Sequence, residues 1–305
     1  MTDKSGDRVW LAITLSLLAL VLFDLMGLII KHLSPDYSAP ELSAYRNLFG
    51  ILPSVIALLS ARSWHEGGRK LRIRQWPLAV ARGLFVTLAQ LLFYYSLGRM
   101  AFATATTITY SNAIFMTALA IPILGERVGA IRWVAVLLGF IGVLMVMGAH
   151  SKLGRESFSI VALAPLGAAF LYALAGVTAR LMDSDVPSPL INLYSVVAAL
   201  FGSFALALWM GGFSQIGTAT DLLWITAMGG FGGTAVLLLV VSYRMTEQSN
   251  LAPFSYFGIP FAFVFGWLFF GEAPFRDLFP GAILIVGGGL LVIWRERRTS
   301  RAGIA

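Results

Sequence analysis

Long apolar runs separated by short polar breaks set the pattern of this chain. About 20 apolar residues in helical form are needed to cross the hydrocarbon core of a bilayer. Trp10–Ile30, Val134–Met147 with its flanks, Leu190–Met210 and Phe254–Phe270 all approach or meet that length. Reading each run against the residues that break it predicts ten spans, near 9–30, 40–60, 76–97, 101–122, 131–148, 158–181, 188–210, 220–243, 250–270 and 278–294. The loops between them are too short to hold a globular domain. The first run is also too long for a signal-peptide core, so it reads as a retained span.

Composition agrees with this pattern. The 305 residues are 58% hydrophobic and 12% charged, against about 25% charged in soluble domains. The net charge of +7 would invite a polyanionic partner, but the positions of the cations argue otherwise. They cluster in ARSWHEGGRKLRIRQW and in the tail WRERRTSR, as expected of loops held in the cytoplasm. Placing both termini there puts fifteen Lys and Arg on the cytoplasmic side and six opposite, with Arg82 inside the third span. The expectation is a multi-pass protein of a bacterial inner membrane with both termini cytoplasmic. Its partners are membrane lipid and a small molecule, not nucleic acid, and a monomer is favoured.

One stretch breaks the apolar rule. TATTITYSN, Thr104 to Asn112, is almost entirely hydroxyl and amide side chains, with no acid or base among them. The chain also aligns with itself at an offset of 146 residues without a gap. The fourth span then falls on SNLAPFSYFG of the ninth, with Tyr110 on Tyr256, Phe115 on Phe261, Gly125–Glu126 on Gly271–Glu272 and Gly142 on Gly288. This gives halves at 1–150 and 151–305. Five spans per half is an odd number, so the second half enters the membrane inverted. Inverted repeats recur in secondary transporters, with substrate bound between the halves near the midplane. The fold class is therefore all-α: ten transmembrane helices as two inverted five-helix repeats around a central cavity.

Ten spans in two five-span halves, with a Gly–Glu pair closing the fourth span of each, resemble the drug/metabolite transporter superfamily, EamA type. LGER and GFIGVL add to the likeness, which covers nearly the whole chain. The resemblance implies export of small metabolites, and the chain is most similar to the group exporting amino acids, aromatic ones among them. The alternatives are a riboflavin-like or S-adenosylmethionine-like metabolite, or a lipophilic cation or drug.

Candidate site residues are polar side chains that hydrocarbon would not tolerate without a cavity or a partner. In span four these are Thr107, Tyr110, Ser111 and Asn112, and in span nine Ser255 and Tyr256. At 100° per residue the hydroxyl run spreads around its helix, so part of it serves packing. Gln90, Tyr94 and Tyr172 offer amide and phenol groups suited to a partly apolar substrate. Asp24 and Arg46 lie at equal depth and are expected to pair, either as a charged anchor for a zwitterion or as a structural tie between spans one and two. A cation carrier should instead leave a carboxylate uncompensated. Because Asp24 is the one carboxylate well inside a span, facilitated diffusion or exchange is expected over a proton relay. Pro253 and Pro260, two turns apart on one face of span nine, read either as an interruption that marks the site or as a static kink. Glu126 and Glu272 read as caps or turn residues for the helices that follow them, and Arg82 is expected to snorkel outward.

Enzyme chemistry finds no footing. The chain has no Cys, and His32, His65 and His150 are scattered at span ends. No nucleophile with its base and no metal-ligand spacing is present, so neither a cofactor nor a metal is expected.

Overall fold

The computed structural model describes residues 4–61, 64–65, 68, 71–124, 134, 137–139, 141–142, 145, 160–182, 186–245, 254, 257–272, 279–288 and 290. The described elements are helical throughout: α1 (Lys4–Leu33), α2 (Ala39–Leu59), α3 (Trp76–Leu97), α4 (Phe102–Thr109), α5 (Asn112–Leu124), α6 (Ile160–Arg180), α7 (Ser188–Trp209), α8 (Ala219–Met245), α9 (Gly258–Phe270) and a short α10 (279–288). Described residues between 134 and 145 are helical as well. Among the described residues, six helices are long and apolar enough to cross a membrane: Trp10–Leu33, Ala39–Leu59, Trp76–Leu97, Val161–Ala179, Pro189–Trp209 and Ala219–Leu239. The protein is an all-helical, multi-pass membrane protein.

Span four departs from the continuous helix expected over 101–122. It is two helices, α4 and α5, separated by a turn at Tyr110–Ser111. At that turn the Ser111 N–H donates to the Ile108 carbonyl, three residues back at 3.1 Å, so the helical register is lost there. In span nine, α9 runs from Gly258 to Phe270, and Pro260 lies exposed in its first turn. Pro253 falls outside the described residues.

Proline opens three of the long helices, at Pro40 in α2, Pro77 in α3 and Pro189 in α7, where a missing N–H costs nothing. Lipid tails are as apolar as Leu, so association between helices depends on close backbone approach at small residues. The sequence GGFGG of α8 supplies this against α2. Gly229 faces Phe49, and a Cβ on Gly233 would come within 2.6 Å of the Pro53 ring. Gly83 of α3 likewise packs onto the Ser195 carbonyl and Ala198 of α7. Gly142 backs onto α10, where a Cβ would meet the Gly281 carbonyl at 2.6 Å.

The resulting pairings run α1 with α8, α8 with α2, α2 with α7, α7 with α3, α3 with α6 and α6 with α5, while α9 packs on α4 and α1. The largest buried apolar cluster joins Ile30, Leu33, Leu42, Tyr94, Leu97, Phe102, Ile225 and Ile259, toward the end where α1 reaches Leu33.

That end is also tied by polar bonds. Lys31 Nζ lies 2.5 Å from Glu272 Oε1 and donates to the Met100 carbonyl at 2.7 Å, while Glu272 Oε2 accepts the Phe102 N–H at 2.7 Å. Glu272 therefore caps α4, a favourable place for a carboxylate at a helix N-terminus. Glu126 lies outside the described residues. Glu41 accepts the N–H groups of Ser38 and Ser214, and Tyr37 donates to Asp221 at 3.2 Å, fastening the chain before α8 to the start of α2.

Candidate functional site

Polar side chains gather where α2, α3 and α7 meet. In α2, Ser43, Arg46 and Asn47 stand at spacings of three and four, hence on one helical face. Gln90 and Tyr94 share a face of α3 for the same reason. Ser43 Oγ donates to Gln90 Oε1 at 2.7 Å, and Asn47 Nδ2 donates to the same oxygen at 3.0 Å. Arg46 Nη1 donates to Asn47 Oδ1 at 3.0 Å. Three further bonds are long, Gln90 Nε2 to Asn47 Oδ1 at 3.4 Å, Asn47 Nδ2 to Ser43 Oγ at 3.4 Å and Asn47 Nδ2 to Ser203 Oγ of α7 at 3.5 Å. Asn47 is completely buried (0% exposed), where an unpaired amide would cost about 1–3 kcal/mol, so the network holds these side chains in fixed rotamers.

Tyr94 is buried beside this network, and Tyr172 of α6 is half-buried. Both phenols lie within electrostatic reach of Arg46. Two aromatic faces, a guanidinium and an amide pair thus converge from three helices, α2, α3 and α6.

The expected Asp24–Arg46 pair is not formed. The guanidinium runs along the glycine face of α8, with its Nε 3.1 Å from where a Cβ on Gly232 would sit, and turns to Asn47 on its own helix. Its Nε and Asp24 Oδ2 are both buried with no bonded partner among the described residues. Glycine at 232 opens this path, so α8 and not α1 receives the cation. Arg82, expected to snorkel, keeps its Nε buried and unbonded among the described residues.

Span four divides by position. Thr107 and Ser111 are buried with hydroxyls unbonded among the described residues, Asn112 is half-buried, and the Tyr110 hydroxyl is pressed against Gly258 at the start of α9. Tyr110 lies within electrostatic reach of Asp24, not of Arg46's network. The candidates therefore fall into two groups: Arg46, Gln90, Tyr94 and Tyr172 in one, Asp24 and Tyr110 in the other. Ser255 and Tyr256 lie outside the described residues.

Ser43, Asn47 and Ser203 escaped the sequence reading. Their signal was available for α2, where three polar residues share a face with Arg46. A lone serine such as Ser203 reads as a packing residue, and it also bonds its own helix at Ala199.

A polyspanning helical bundle with a buried, hydrogen-bonded polar centre fits a membrane carrier. The EamA-like transporter family matches twice, at residues 10–148 and 159–294, and the chain belongs to that family. It is 27% identical over 241 residues to the riboflavin transporter of Brucella anthropi, covering 77% of this chain and 83% of that protein. It is 23% identical to the S-adenosylmethionine uptake transporter of Rickettsia bellii, covering 92% and 93%. Human solute carrier family 35 member G1 is 26% identical, covering 94% and 80%. A solved crystal structure superposes with a TM-score of 0.67 at 18% identity, covering 94% of this chain and 97% of that one, which shows the shared fold. Two of these relatives are transporters of riboflavin and of S-adenosylmethionine, where the sequence alone pointed to an amino-acid-exporting group.

Proposed function

We propose that the protein is a secondary carrier for an uncharged heteroaromatic metabolite of the riboflavin kind, replacing the expectation of an amino acid. The observation that carries this reading is the Ser43–Asn47–Gln90 network beside Tyr94. Primary amides offer donor and acceptor side by side, matching the alternating N–H and C=O groups of a flavin-type ring edge. Buried amides that must be re-paired also reject analogues lacking those groups far more strongly than an apolar pocket can. Tyr94 and Tyr172 supply aromatic surface for the ring. The 3.4 and 3.5 Å contacts are the bonds most readily exchanged for ligand. The riboflavin transporter relative supports the same substrate class.

A second reading, S-adenosylmethionine, is favoured by a relative that matches nearly end to end and by the free Arg46 Nε, which would receive a carboxylate.

Transport follows from the two-half architecture, with repeats at 1–150 and 151–305. The 146-residue offset superposes α2 on α7, and these helices contact each other running in opposite directions. Asn47 meets Ser203, whereas Ser54, seven residues on, meets Asn192, eleven residues back. That antiparallel contact between equivalent helices supports inverted repeats and alternating access about the network. With both termini cytoplasmic, the tied Leu33 end faces outward, and this conformation is closed on that side.

Riboflavin binding by the purified protein, followed by quenching of flavin fluorescence, tests the assignment. Saturable quenching is expected, reduced at least about tenfold in affinity in Gln90→Leu. Quenching that Gln90→Leu leaves untouched, or protection by S-adenosylmethionine alone, would contradict it.

A further inference from the structure

The substrate site leaves Asp24 unused. Its side chain is 4% exposed, and Oδ2 has no bonded partner among the described residues. An ionised carboxylate in that state is costly, and a cation beside it relieves the cost.

The helix register shows what surrounds it. Gly27 of α1 lies against the Phe102 ring, with a Cβ there 2.8 Å from Phe102 Cε2. Lys31, one turn further along, reaches the Met100 carbonyl, so α1 and α4 run antiparallel. Asp24, about 4.5 Å below Gly27 along α1, therefore comes level with Ala105 and Thr106. Thr106 follows Phe102 by four residues and shares its face of α4.

The hydroxyls at this level are unusual. A helical threonine ordinarily returns its hydroxyl to a carbonyl of the preceding turn, as Thr109 does to Ala105 at 2.9 Å. Thr106, Thr107 and Ser111 do not, and all three hydroxyl oxygens are buried without a partner among the described residues. The turn at Tyr110–Ser111 also diverts the Ser111 N–H to Ile108, so the Thr107 carbonyl loses the donor an unbroken helix would give it. Oxygen donors, one negative charge and a broken helix are thus gathered together. Discontinuous helices with freed carbonyls form the coupling-ion sites of transporters, and hard cations take oxygen ligands.

We propose that Asp24, with the Thr106 hydroxyl and the oxygens freed at the span-four break, binds a coupling monovalent cation, Na⁺ or a proton. The single carboxylate sets the charge at one, and the hydroxyl oxygens favour Na⁺ of the two. Bound there, the cation joins α1 to the break in span four, and through Tyr110 on Gly258 to the start of α9. Transport becomes cation-dependent, in place of the facilitated diffusion that the scarcity of carboxylates had implied. The other charged or titratable groups on α1 and the elements packed against it include, among the described residues, Lys31 and His32 on α1, Arg46 on α2, Tyr94 on α3, Tyr110 after α4, Asp221 on α8 and Glu272 after α9. None is bonded to Asp24.

Thermal unfolding of the purified full-length protein in detergent tests this without any substrate, so it stands or falls apart from the flavin assignment. Choline chloride is exchanged for NaCl at constant ionic strength, at acid and alkaline pH. Na⁺ is expected to raise Tm in the wild type, to do nothing in Asp24→Asn, and to act with about tenfold weaker apparent affinity in Thr106→Val. Asp24→Asn removes the buried charge and folds at least as well as wild type without cation, which guards against a trivial loss. Stabilisation by acid and not by Na⁺, lost in Asp24→Asn, upholds the site with a proton as its cation. A Tm indifferent to both cations, a Na⁺ response that survives Asp24→Asn, or stabilisation by S-adenosylmethionine in place of either cation overturns the proposal.

Discussion

Asn47 bonds more partners than any other side chain in the α2–α3–α7 network: Gln90, Ser43, Ser203 and Arg46. Replacing it with Leu leaves Gln90 and the Arg46 guanidinium short of partners, each a loss of about 1–3 kcal/mol. The Asn47→Leu protein should melt several degrees lower in detergent and bind flavin weakly; unchanged melting would show the network to be dispensable. Gly258 makes the opposite demand, because the Tyr110 hydroxyl occupies the space a side chain would need. Gly258→Ala should lower the uptake rate, and adding Tyr110→Phe, which removes that oxygen, should restore part of it. Legibility in the sequence follows the same chemistry. Asp24, Arg46 and Gln90 stand out because hydrocarbon punishes them. Their pairing was not legible, since it depends on Gly232 of another helix opening the path that Arg46 takes.

At the scale of elements, the long spans were visible as apolar runs because a membrane demands continuous helix of a set length. The break within span four was hidden. Thr and Ser are compatible with membrane helices, and no proline or glycine marks the turn at Tyr110–Ser111, where the Tyr110 ring lies on Gly258 of α9. Glu272 was legible as a cap, yet its target α4 is 170 residues away. The Lys31–Glu272–Phe102 tie locks α1, α4 and the end of α9 together, so its loss should favour opening at the Leu33 end. The chain has no cysteine of its own, so a single Ala103→Cys reports on that opening without background. Its modification by an impermeant maleimide should be about tenfold faster in Glu272→Gln than with Glu272 intact, as the loss of one charge-assisted hydrogen bond implies. Equal rates would mean that the tie does not hold the end closed.

For the whole molecule, the repeat was legible through a gapless offset and a matching rhythm of spans, and the twofold match to one family agrees with it. The antiparallel meeting of α2 with α7 was not legible, because it depends on how the halves dock. Close approach of α2 and α8 at Gly229 and Gly233 holds this docking. Gly233→Leu should drive α8 from Pro53 and abolish uptake while the protein still inserts, as detergent extraction and gel filtration would register.

Passage of a neutral ring through the amide network can be followed by counterflow of labelled riboflavin in proteoliposomes, comparing wild type, Gln90→Leu and protein-free vesicles, with phenylalanine and S-adenosylmethionine as competitors. Saturable riboflavin flux is expected, nearly abolished by Gln90→Leu and untouched by phenylalanine. No riboflavin flux above empty vesicles, or flux displaced by phenylalanine, would contradict it.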